Sequence, residues 1–323
     1  MKLIFQKYIL SLLLIWPIVV CGQTNAWKSY YSYKNISICT ISNQTIVAAA
    51  ENALFLFDTS KGTSETITTV EGLSGDNISA LAAYGNVILI GHENGLLAQI
   101  DINTKKIMFE SGITRSNIIS AEKKQINHIQ LVDNIAYLST GFGIVEVNPD
   151  TLEFGDSYYF GPTNSTLKVN QVFIFENALH AATNQGLFKT NQANQNKLEF
   201  SSWDQIAEGK WAYLWAQDNS LFAAKDEGSS LSFFQLSNTV QKRATFPGLL
   251  KNIFPYENGV LITVSNRVYD TDKSFVGTQT LGDLDGLKPN TFNFAVNLNG
   301  KKWIGTSSEG LIRYVNEDNF DLI

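Results

Sequence analysis

Groups able to do acid–base, metal or nucleophilic chemistry are few in this chain, and they are scattered. His92, His128 and His180 lack the close spacing of metal ligands and are expected as turn or strand residues. The acid pair Asp283 and Asp285 has the residue types of a glycosidase but sits in a polar loop, where solvated turn residues are expected. No G-x-S-x-G, P-loop or H-E-x-x-H occurs, and neither do Asp boxes, kelch Gly-Gly pairs or a WD40 signature. The expectation is a non-enzyme that uses no cofactor and no metal.

Two cysteines remain. Residues 1–22 open with Lys2 and Lys7, continue into the apolar run ILSLLLIWPIVV and reach Val20-Cys21-Gly22, which reads as a secretory signal peptide cleaved after Gly22. Lipidation of Cys21 would require a small residue where Val20 stands. Cys39 is then alone and is expected as a small core hydrophobe. Loss of Lys2 and Lys7 moves the net charge from -6 to -8, which disfavours nonspecific nucleic-acid binding. No apolar run reaches the length of a membrane span.

The elements that must position any site are repeats. Asn43, Asn86, Asn134, Asn177, Asn219, Asn258 and Asn299 each precede an apolar strand-like run, at steps of 43, 48, 43, 42, 39 and 41 residues. Asparagine tolerates positive φ, so each should mark a two-residue hairpin turn. A second turn follows in HENG, GFG, NQG and SSEG, and a fourth short strand such as TITTV or KIMFE closes each unit. Helical periodicity is absent.

Four short antiparallel strands per unit, seven times over, predict an all-β, seven-bladed β-propeller occupying residues 24–323. The units fall at about 36–77, 78–117, 118–170, 171–210, 211–250, 251–290 and 291–323. WKSYYSYKN at 27–35 reads as an outer strand lacking its own blade, so it is expected to close the ring on the last unit, with NFDLI at 319–323 surplus. The apolar ending suggests that the natural chain continues. Trp27, Trp203, Trp211, Trp215 and Trp303 are expected between blades.

EGLSGDNISALAAYGNVILIGHENGLLAQID and DGLKPNTFNFAVNLNGKKWIGTSSEGLIRYVNED resemble the propeller repeat of Bacteroidetes two-component regulators. The opening, W-x-x-Y, then ALFLFD, then V-x-GLS-x-x-N-I, resembles more closely the PorZ-like proteins of the type IX secretion system. That resemblance implies a scaffold at the outer membrane surface, working with PorU-, PorV- and PorQ-like proteins and presenting anionic lipopolysaccharide or cargo to a sortase. Members of that family are longer. The alternatives are the periplasmic sensor propeller of a hybrid histidine kinase and, more remotely, a polysaccharide lyase.

In a propeller, the loops before each inner strand and those between second and third strands share one face. Lys34, Asn77, His92, Arg115, Asn117, Lys210, Lys251, Lys288 and Asn290 are placed there as candidate ligand- or partner-binding residues. Their basic members would suit an anionic glycan or a carboxylate-bearing partner. The competing expectation is that the asparagines cap turns and the lysines are ordinary surface.

Overall fold

A computed structural model describes residues 32–162, 165–190, 196–281, 291–316 and 319–323. The segment expected to be a signal peptide, Trp27, Asp283, Asp285, Lys288 and Asn290 lie outside those residues. Seven four-stranded antiparallel sheets follow one another along the chain, forming a seven-bladed β-propeller.

Inner strands are Ile38–Ser42 (β1), Ile78–Tyr84 (β5), Ile126–Val132 (β9), Val169–Phe175 (β13), Trp211–Gln217 (β17), Leu250–Tyr256 (β21) and Phe292–Leu298 (β25). The second strands are Thr45–Ala50 (β2), Val87–His92 (β6), Ile135–Thr140 (β10), Ala178–Thr183 (β14), Ser220–Asp226 (β18), Gly259–Val264 (β22) and Lys301–Thr306 (β26). Third and outer strands complete each meander, from Ala53–Asp58 (β3) and Thr63–Ile67 (β4) in the first blade to Leu311–Asn316 (β27) and Asn319–Leu322 (β28) in the last. The linker between the second and third blades also holds a one-turn helix, Gly112–Arg115 (α1).

Second strands are apolar because both of their faces are covered: every residue of β14 and β22 is buried. Near the end of each second strand stands one small residue: Ala49, Gly91, Ser139, Ala182, Ala224, Thr263 and Gly305. Close packing explains the restriction. A Cβ at Gly91 would lie 2.6 Å from Ile126 of the next blade, and one at Gly305 would lie 2.2 Å from the Phe294 ring. The Ser139 hydroxyl uses the same proximity, accepting from the Val172 amide of the next blade at 2.9 Å.

The periodic asparagines do mark the first hairpin turns, but positive φ is shared out unevenly. Asn43, Asn177, Asn219 and Asn299 adopt it themselves, while Gly85 and Asp133 take it in front of Asn86 and Asn134. Trp203, Trp211, Trp215 and Trp303 are all buried. Trp215 packs with Phe222 and Phe233 of its own blade and Phe275 of the next, and Trp303 lies 5.3 Å from Phe57 across the junction of the last blade with the first.

That junction corrects one expectation. The seventh sheet takes its outer strand from β28, paired with β27 in register Ile312↔Leu322 and Arg313↔Asp321. The strand expected at 27–35 therefore does not close the sheet: residues 32–35 form no strand, and 27–31 lie outside the described residues. A short connection joins β27 to β28, so local pairing carries less loop-closure entropy than recruiting the far end of the chain. Residues 34–36 still fasten the ring, through the turn rather than the edge. The Ile36 amide donates to the Thr306 carbonyl at 3.0 Å, and the Gly310 amide donates to the Lys34 carbonyl at 2.7 Å. The first of these repeats the bonds of Ile78 to Glu51 and Phe292 to Ser265 at ordinary junctions.

If this junction is sealed as described, Trp303→Ala should lower unfolding stability by about 3–5 kcal/mol in denaturant titration. Asn293→Ala, which removes only the bond from its side-chain amide to the Ile36 carbonyl, should cost about 1 kcal/mol. Hydrogen exchange should then quicken in β1 and β25 and leave β13 and β17 unchanged.

Candidate functional site

The inner strands surround an axial channel of about 820 Å³ whose wall draws on all seven blades. Each inner strand pairs on one edge only, so its other edge must find partners elsewhere. Six of the seven carry a β-bulge at the same place, visible as a register shift between Ile78 and Ala80, at Asn127 between the partners of Ser139 and Thr140, and at the corresponding points of β13, β17, β21 and β25. A bulge adds an unpaired residue and re-aims its side chain. The bulged residues are Ser79, Asn127, Asn170, Ala212, Lys251 and Asn293, and all line the channel.

Four of them join one blade to the next. Ser79 donates to the Ile126 carbonyl (2.8 Å), Asn127 to Val169 (2.9 Å), Asn170 to Trp211 (2.7 Å) and Asn293 to Ile36 (2.8 Å). Gln171 reinforces the fourth junction by both donating to the Leu214 carbonyl (3.0 Å) and accepting from its amide (2.6 Å). The belt lapses at Ala212 and Lys251, neither of which can repeat the amide bond.

Two residues before each of the six bulges, and at the matching point of the first blade, stands a second ring: Asn77, Gln125, Lys168, Lys210, Leu249 and Thr291, with Asn35. The loops carrying this ring bond the turns between second and third strands, as Glu93 does to Asn77, Asn184 to Lys168 and Asp226 to Lys210. The two loop sets therefore share one face. Positive charge in the two rings falls only on three successive blades, at Lys168, Lys210 and Lys251. Lys210 is held by Asp226 at 2.6 Å. Lys168 is exposed at the rim, and partial desolvation together with the neighbouring Lys210 charge lowers its pKa.

Deeper in the wall lie Cys39, His128 and Tyr213, each partly exposed. Burial pushes the Cys39 thiol well above its ordinary range, the Tyr213 phenol up to about 12 and the His128 imidazole down to about 4. All three are neutral at pH 7. His128 stands edge-on to Tyr213 with ring centroids 6.3 Å apart. Among the described residues no group of three His, Cys, Asp or Glu side chains is placed to hold a metal.

The candidates from the sequence separate into three groups. Lys210 and Lys251 line the channel mouth, and Asn77 belongs to the same ring but engages Glu93 at 3.1 Å. Lys34, Arg115 and Asn117 are exposed on the connecting segments, Arg115 at the end of α1. His92 is buried and offers no binding surface. It ends β6 where Thr140, Thr183 and Thr306 end theirs, and those hydroxyls close the following turns by bonding Gly143, Gly186 and Gly310. The His92 ring instead meets the Asp76 carbonyl at 3.0 Å, with Ser74 nearby, and burial lowers its pKa. Lys168, Gln125, Asn127, Asn170 and Asn293 escaped the sequence reading. Counting from the following turn asparagine would have found them, because the bulge keeps its distance from that turn.

A seven-bladed ring of four-stranded sheets with a polar belt and a one-sided basic mouth defines a β-propeller domain. Residues 46–204 match the family model described as the type IX secretion (TSS9) PorZ N-terminal β-propeller domain, and the chain is a PorZ-like β-propeller protein. Among solved structures it is similar to PorZ, described as an essential bacterial surface component of the type IX secretion system of Porphyromonas gingivalis, with TM-score 0.73 and 16% identity. That match covers 93% of this chain and 39% of the PorZ chain, so the chain spans about two fifths of that relative's length. Similarity of fold alone extends to a chain of the mitotic checkpoint complex (TM-score 0.63, 12% identity, 90% of this chain and 89% of that one). It extends also to the computationally designed Ika8 protein (0.55, 12%, 88% and 98%). No curated protein matches the chain in sequence.

The buried histidines set a pH response. His128 and His180 both have pKa values near 4, lowered first by burial, while the unfolded chain takes up these protons near 6.5. Between those values the unfolded state binds more protons, so stability is present above about 6.5 and falls as pH drops toward 4. Urea midpoints measured from pH 7 to pH 4 should decline, and His128→Gln should make that decline shallower without changing the fold.

Proposed function

We propose that this propeller is a non-catalytic binding and scaffold domain of the type IX secretion attachment machinery. It acts at the cell surface after export, where it helps to present anionic lipopolysaccharide or cargo to the sortase. Its partners in this role are PorU-, PorV- and PorQ-like proteins. The observation that carries the reading is the PorZ propeller-family match over residues 46–204.

The geometry supports a binding role on that basis. The inner strands present bulged side chains to a channel, and the loops before them gather with the second turns on one face. Loops held on a rigid scaffold are the usual carriers of recognition. Cys39, His128 and Tyr213 in the channel wall are kept neutral by desolvation, which suits structural polar groups better than general acids or bases. Among the described residues no helix is long and apolar enough to cross a membrane.

The test is made in the native host. An affinity tag on the protein, followed by crosslinking and mass spectrometry, should recover PorU-, PorV- and PorQ-like proteins, and deletion of the gene should leave cargo with its C-terminal signal uncleaved. Recovery of a histidine kinase instead, with cargo processing intact, would overturn the assignment.

A further inference from the structure

The basic arc of the channel mouth is unlike the rest of the rim. Around the other blades both rings lack lysine and arginine, and Ser79, Asn127 and Asn293 are consumed in joining neighbouring blades. At the fifth and sixth blades the belt is interrupted. Ala212 offers no polar group where Asn170 and Asn293 each reach the next blade, and Lys251 replaces the amide outright. The interruption coincides with Lys168 and Lys210 on the ring above it.

The arc is short of negative charge. Asp226 alone lies against it, bonding the Lys210 ammonium at 2.6 Å while its amide donates to the Lys210 carbonyl at 2.8 Å. Among the described residues Lys168 and Lys251 have no acidic partner. Two ammonium groups set close together, Lys168 without a counterion, repel each other in the free protein. An oxyanion brought to the same place would relieve that repulsion.

We propose that this notch, formed by Lys168, Lys210 and Lys251 over Ala212, binds a carboxylate or phosphate group carried on a flexible chain. Asp226 is the internal competitor for that site. An arriving oxyanion takes the Lys210 ammonium from Asp226, and so affinity is held down until an anion with several contacts enters. Leu249, more than half exposed on the same rim, offers an apolar shoulder for the carrier chain. The inference rests on the loop face being the binding face, and it holds or fails independently of the secretion assignment.

Calorimetric titration of the purified chain at low salt tests it, with oligogalacturonate as the carboxylate-bearing chain, inorganic phosphate as the free oxyanion and maltooligosaccharide as the neutral chain. Oligogalacturonate should bind, about tenfold more weakly at 0.3 M salt than at 0.03 M. Lys168→Met and Lys251→Met should each weaken binding about fivefold or more, while Asp226→Asn should strengthen it severalfold. Lys61→Met, on the turn between β3 and β4, should change nothing. Lys168→Met should melt at the parent's temperature, since it replaces an exposed side chain, so lost binding cannot be put down to unfolding.

Phosphate binding that Lys168→Met abolishes, without binding of oligogalacturonate, would keep the notch and make a free oxyanion its ligand. Equal binding of the neutral chain, indifference to Lys168→Met, or weaker binding in Asp226→Asn would each overturn the proposal. Recovery of secretion partners alongside such a negative result would refute the notch alone.

Discussion

Everything in this ring depends on what covers the open edge of the innermost strands. A strand paired on one side carries a row of amides and carbonyls on the other, and leaving them buried without partners costs more than any single contact gains. Here the solution is local and repeated. A bulge turns one residue out of the ladder in six of the inner strands, and in four blades that residue bonds the backbone at or just before the next inner strand. Gln171 imitates a strand by offering both a donor and an acceptor to Leu214. The small residue near the end of each second strand follows from the same demand, because blades must approach closely for these side chains to reach.

Much of this was legible in the sequence, and the limits have physical causes. The hairpin asparagines recur because a two-residue turn needs positive φ, and that need is strict enough to leave a period of about forty residues in the sequence. Which of the two turn residues accepts it is decided by neighbours, so Gly85 and Asp133 could relieve Asn86 and Asn134. The bulges left no such mark. They follow linkers of very different length, and the segment 111–125 alone hides the register of Asn127 from a count made from the N-terminal side. Lys168 was passed over for that reason. His92 misled in another way: its position beside a turn glycine suggested the loop surface, whereas it occupies the place of a turn-closing threonine.

The ring closure shows what pattern cannot decide. WKSYYSYKN and NFDLI both have the character of an outer strand, and composition alone does not rank two segments for one vacancy. Entropy does, since β28 follows β27 almost directly. The N-terminal segment nonetheless retains a role, its backbone bonding Thr306 and Gly310 while Phe57 and Trp303 pack across the same junction. Charge is distributed with similar economy. An acidic chain that keeps three lysines on adjacent blades of one rim has made a polar surface directional, and the PorZ-like propeller thereby gains a side as well as a face.

Because β28 and not an N-terminal strand completes the last blade, every sheet is drawn from one uninterrupted stretch of chain. Among the described residues no blade borrows a strand, and the bond that joins the seventh to the first is of the same kind as those joining the others. The order in which the blades are written is then separable from the ring they form. Such a ring can be cut at one linker and rejoined at another, or gain and lose whole blades by duplication, with its sheets intact. The unit on which inheritance can act is the blade.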